Sequence, residues 1–180
     1  MKGVLFTGFL DLVENNFGYE MVDKIITSSD LLSGGAYTSI GTYPHKEMVQ
    51  LMMQLSHNTQ IPVSKLLKLY GQHFFGTLIA QYGHFLSRVK SAFQLLESIS
   101  HHIHVEVKKL YPEAELPHFE TKRLDANTLE MIYTSERKMA DFAEGLIESC
   151  LKYYGEKGTI ERTNLIEDGS KVRFIITRQK

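Results

Sequence analysis

The segment Ser98-Ile99-Ser100-His101-His102-Ile103-His104-Val105-Glu106-Val107-Lys108-Lys109-Leu110-Tyr111 carries three of the chain's eight histidines and is stopped by Pro112. Leu96, Ile99, Ile103, Val107 and Leu110 follow spacings of 3, 4, 4 and 3, which predicts a helix with one buried stripe. His104 lies one position round from Ile103 and three before Val107, so it borders that stripe. His101 can share its side, whereas His102 points more nearly away. A neutral imidazole in such a place is either a hydrogen-bonded core residue or a metal ligand. The pair His101/His104 allows zinc, with Glu97 or His118 as a third donor, but no His-Glu-x-x-His spacing supports it.

Upstream of this segment the patterning is helical. Leu5, Phe9, Leu12 and Val13 make one face of a first helix ended by Gly18, and a short second helix covers about Tyr19 to Thr27. Residues 28–43 are polar and glycine-rich around Ser33-Gly34-Gly35 and read as a connector; no Lys-Ser/Thr follows to make a phosphate cradle. Pro44 fits the first position of a third helix with Met48, Leu51, Met52 and Leu55 on one face. His57-Asn58-Thr59-Gln60 breaks it, and Pro62 opens a fourth helix, apolar over a wide arc that includes Tyr70, Phe74 and Leu78. Gly71 and Gly76 inside it permit a kink or the close approach of a flat ligand, or else merely fit a crowded core. A fifth helix runs from Phe85 through Val89, Phe93 and Leu96 into the histidine segment.

Downstream of Pro117 the texture changes. Phe119–Leu124, Thr128–Thr134, Thr159–Leu165 and Lys171–Thr177 are strand-like, with a hairpin signal at Glu167-Asp168-Gly169-Ser170, while Lys138–Tyr154 has a helical pattern. The expected architecture is a single α+β domain over residues 1–180. A helical N-terminal part (about 1–60) packs on a part (about 61–180) with a four-stranded antiparallel sheet and interleaved helices.

The bulk numbers narrow the function. A net charge of −1 gives no electrostatic case for nucleic acid or an anionic membrane. No stretch approaches the roughly 20 apolar residues of a membrane span, and Asp11 interrupts the first apolar run, so the chain reads as cytoplasmic. Cys150 is the only cysteine, which excludes an intrachain disulfide or a thiolate zinc cluster.

Tyr133-Thr134-Ser135-Glu136-Arg137 supplies a second constellation. If the strand continues through it, a phenol, a hydroxyl and a guanidinium leave one face, a donor set suited to carboxylates. Haem is a flat apolar disc that needs one axial nitrogen and anchors for two propionates, and these two features together meet that need.

The run His104-Val105-Glu106-Val107-x-x-Leu110-Tyr111, then Pro117 thirteen residues past the histidine, then Tyr133-x-Ser135-x-Arg137, resembles the H-NOX family of haem nitric oxide/oxygen binding domains. The resemblance extends from Met1-Lys2-Gly3 to the final hairpin. It implies haem b buried between the two parts, with His104 as proximal iron ligand. Tyr133, Ser135 and Arg137 would hold the propionates, and Pro117 would press on the porphyrin. Leu5, Phe9, Phe74, Leu78, Phe142 and Leu146 would line the distal side. Oxygen-binding members carry a distal tyrosine where this chain has Phe142, so the expectation is a sensor of NO and CO with little O2 affinity, not an enzyme. NO would release His104, and the shift would reach a separate partner, a histidine kinase or a cyclic-di-GMP enzyme. A zinc hydrolase built on His101 and His104, or a haem-free interaction module using Tyr133 and Arg137, are the competing readings.

Overall fold

The computed structural model describes residues 1–83 and 89–179. Its helices are α1 (Gly3–Phe17), α2 (Tyr19–Thr27), α3 (His45–Thr59), α4 (Val63–Tyr82), α5 (Ala92–Ser98), α6 (His104–Leu110) and α7 (Ala140–Tyr153). The strands are β1 (His118–Arg123), β2 (Thr128–Thr134), β3 (Gly158–Asn164) and β4 (Lys171–Arg178), and a π turn, Ile99–Ile103, joins α5 to α6. The fold is α+β, as expected.

Local signals explain most boundaries. Gly18, at φ +85°, ends α1 and starts α2, a conformation that costs glycine little. Pro44 and Pro62 are the N-caps of α3 and α4 and not their first residues: proline's φ suits a helix, but ψ of 129° and 141° keeps both extended. The connector between α2 and α3 is pinned by an acid. Glu47, only 2% exposed, accepts hydrogen bonds from Ser33 Oγ at 2.5 Å and Tyr37 OH at 2.7 Å, and Tyr37 stacks on Phe6 with ring centroids 4.4 Å apart.

Two apolar clusters form the interior. One gathers Phe6, Phe9 and Leu12 of α1 with Leu51 and Leu55 of α3, and reaches into α4 through Leu66, Tyr70 and Phe74. The other lies under the antiparallel sheet, ordered β1-β2-β4-β3, where Leu129, Met131 and Tyr133 pair with Ile176, Phe174 and Val172 and all point inward. Helices α4 and α7 lie between them at backbone contact. A Cβ on Gly71 would stand 2.1 Å from the Phe142 carbonyl oxygen, and one on Gly145 would stand 2.1 Å from that of Lys68. Gly71 therefore serves a helix crossing, while Gly76 faces open space.

The expected helix from Phe85 is corrected. Val89 lies outside any helix and Phe85 outside the described residues. α5 begins at Ala92 because Ser91 caps it, its Oγ accepting from the Gln94 amide at 3.3 Å. The histidine stripe is corrected as well. The His104 amide donates to the Ile99 carbonyl, five residues back, so the π turn adds one residue to the helical register. Beyond it, the inward series runs through His104, Val107 and Tyr111, and Leu110, expected on the buried stripe, is 59% exposed.

Candidate functional site

The helices and the sheet enclose a cavity of about 480 Å³, within the range of small-molecule and cofactor sites. Leu5 of α1, Phe74 and Leu78 of α4, and Phe142 and Leu146 of α7 line one part of it. Phe9 does not reach it: it is fully buried behind Tyr70, whose ring lies 5.5 Å from Phe9 and 4.8 Å from Phe142. Tyr70 brings a polar group up behind this apolar wall. Its hydroxyl is fully buried and donates to the Leu5 backbone carbonyl, and so does not face the cavity.

His104 enters from the histidine segment, its ring 5.9 Å from that of Phe119. Burial lowers its pKa to about 4, aided by the positive charges of Lys108 and His118 and opposed by a backbone hydrogen bond at Pro117. The imidazole is thus neutral at pH 7, the form that ligates a metal, and a backbone partner of this kind fixes a ligating histidine's tautomer and orientation. Pro117 and Leu116 line the cavity beside it. His102, and not His101, reaches the lining, because the π turn displaces the expected α-helical pairing.

Tyr133, Ser135 and Arg137 also meet at the cavity, by a route other than strand alternation. β2 stops at Thr134, and the Arg137 amide donates to Ser135 Oγ at 3.2 Å, a local turn that competes with the sheet ladder. Lys138 at φ +55° then leads into α7. The buried Tyr133 hydroxyl accepts from the Met139 amide at 2.9 Å, and burial raises its pKa, so it stays a protonated donor. Arg137 donates to the Glu115 carbonyl oxygen at 2.8 Å and to its carboxylate at 2.7 Å. A guanidinium already holding a carboxylate at the mouth of an apolar cavity is chemically suited to a propionate.

Other groups at the mouth escaped the sequence reading. Lys2 binds Glu113 at 2.9 Å and lies 4.4 Å above the Tyr111 ring, and the Met1 ammonium donates to the Tyr43 carbonyl at 2.7 Å. Burial and the charge of Arg137 lower the pKa of that ammonium. Partners more than a hundred residues apart leave no spacing signal. Zinc finds little support: Glu97 is engaged by Arg123 at 2.5 and 3.0 Å, and no group of three or more His, Cys, Asp or Glu among the described residues could hold a metal ion. A neutral imidazole, an apolar slot and a carboxylate-binding edge are what haem requires, and the residues present fit it.

A family model described as Haem-NO-binding matches residues 2–162. The chain belongs to that family, the H-NOX proteins. Among solved structures, the Fe(II) unliganded H-NOX protein of K. algicida is 48% identical, with a TM-score of 0.96 over 100% of this chain and 97% of that one. The H-NOX of Shewanella woodyi, bound to IWP-051 in the Fe(II)CO state, is 44% identical at 0.84, covering 99% and 95%. That of S. oneidensis in the Fe(II)NO state is 25% identical at 0.92, covering 100% of both chains. A search of curated proteins found no match.

Proposed function

We propose that this chain is a cytoplasmic gas sensor, not an enzyme, that binds NO and CO at haem b and has little affinity for O2. The observation that carries this reading is the apolar wall formed by Leu5, Phe74, Leu78, Phe142 and Leu146, with the Tyr70 hydroxyl turned away to the Leu5 carbonyl. Bound O2 takes on negative charge and gains from a hydrogen-bond donor, whereas NO and CO depend on one far less. Haem, when bound, would supply a ferrous iron able to take a nitrogen ligand and a diatomic gas.

His104 provides that nitrogen, kept neutral by burial and oriented through Pro117. Tyr133, Ser135 and Arg137 hold the propionates, with Glu115 giving way at Arg137. Pro117 would press on the porphyrin, and Phe119 packs beside His104. NO would favour an arrangement in which His104 is released, and the N-terminal part, about residues 1–60, would then shift against the rest. A ligand acts in this way only through its different affinity for two arrangements of the chain. The signal passes to a separate protein; the family resemblance points to a histidine kinase or a cyclic-di-GMP enzyme. The existence of S. woodyi and S. oneidensis relatives in CO and NO states supports the choice of gases. Equilibrating the ferrous protein first with CO and then with air tests it. CO is expected to move the Soret band and air to leave it in place; a stable oxygenated spectrum overturns the reading.

A further inference from the structure

The π turn Ile99–Ile103 stands directly before His104. None of its residues is fully buried, and only Ile99 and Ile103 pack against the edge of the sheet core. A π turn is a rare insertion in a helix and concentrates at functional positions. Here its holding contact outside the helix is Ser100, whose Oγ donates to the Phe119 carbonyl at 2.7 Å and accepts from the Phe119 amide at 3.2 Å. The cost of the extra residue also shows further along: Leu110 faces solvent, although in an unbroken α-helix its spacing from Leu96, Ile99, Ile103 and Val107 places it on the core side.

We infer that the π turn is a register switch, an inference that rests on His104 being the haem ligand. While His104 is held, the extra residue stays in the turn and His104, Val107 and Tyr111 face the cavity. When His104 is freed, the segment winds into continuous α-helix. α6 then turns by one residue, about 100° with a 1.5 Å advance. Leu110 comes to the core side, where Ile103 already packs, and His104 leaves it. The motion has somewhere to go. Tyr111 and Glu113, which follow α6, are tied to Lys2 at the start of α1. Turning α6 therefore draws on the N-terminal part without any contact passing through the sheet.

Thiol labelling of the haem-loaded Leu110→Cys protein, with and without NO, tests the inference. Cys150 is buried with its thiol pushed up to about 12, so the parent protein is the blank. The labelling rate is expected to fall at least fivefold on NO. Val105→Cys, outward in both registers, is expected to keep its rate. His104→Gly combined with Leu110→Cys, its haem held by added imidazole, is expected to label slowly even before NO. An unchanged Leu110→Cys rate in both the NO and imidazole arms, in a red protein whose spectrum reports histidine release, overturns the switch and leaves the sensor standing. A protein that takes up no haem overturns both.

Discussion

His104 shows how far a residue can be read without its surroundings. Its position beside a buried stripe was legible, and so was its choice over His101 once Pro117 and Tyr133-x-Ser135-x-Arg137 were considered. Its burial, and the depression of its pKa to about 4 that keeps it neutral, belong to the folded cavity. His104→Gly is expected to lose most bound haem and to regain it with imidazole, measured as the ratio of Soret to protein absorbance. Normal haem content without imidazole contradicts the assignment. Cys150 gives a second test at this scale. Burial raises its thiol to about 12, so it should resist thiol reagents at pH 8 until the chain unfolds. Between about pH 9 and 12 the unfolded thiol ionises while the folded one keeps its proton. Stability therefore falls as pH rises through that window, and Cys150→Ala should flatten the fall in urea melts.

Elements were read best where one period held throughout. The first four helices, the four strands and the final hairpin fall close to their expected bounds, because alternation and capping are local. The histidine segment departs because a single π turn slips the register by one. That slip reverses the roles expected of His101 and His102 and exposes Leu110. Tyr133, Ser135 and Arg137 do meet at the cavity, but not by strand alternation, since a turn closed by Ser135 Oγ replaces the strand. Three substitutions probe the packing of elements. Gly145→Ala places a Cβ against the Lys68 carbonyl and forces α4 from α7, at about 1–3 kcal/mol of stability. Gly76→Ala faces open space in a helix interior and is expected to gain roughly 0.5–1 kcal/mol. Glu47→Ala strands Ser33 and Tyr37 against a buried gap, at about 2–4 kcal/mol. Thermal or urea melts rank all three, and a Glu47→Ala protein as stable as the parent contradicts the clamp.

At the scale of the molecule, two apolar cores share α4, and the cavity opens where α1, the histidine segment and the sheet meet. The sequence announced the apolar helix faces and the strand alternation that build them. It did not announce the mouth of the cavity, where Lys2, Met1, Glu113 and Arg137 converge from distant parts of the chain. The proposed gas preference belongs to this scale too, because it rests on the apolar wall as a whole. Phe142→Tyr introduces one donor beside Phe74 and Tyr70. It is expected to yield an oxygenated spectrum in air that the parent does not give.

The visible spectrum of the reduced protein, recorded in air and then under NO, bears most directly on the account. A red protein whose Soret band is unmoved by air and shifts under NO, with the signature of a released histidine, is the predicted result. A persistent oxygenated spectrum in air, or a protein left colourless after incubation with haem, contradicts it.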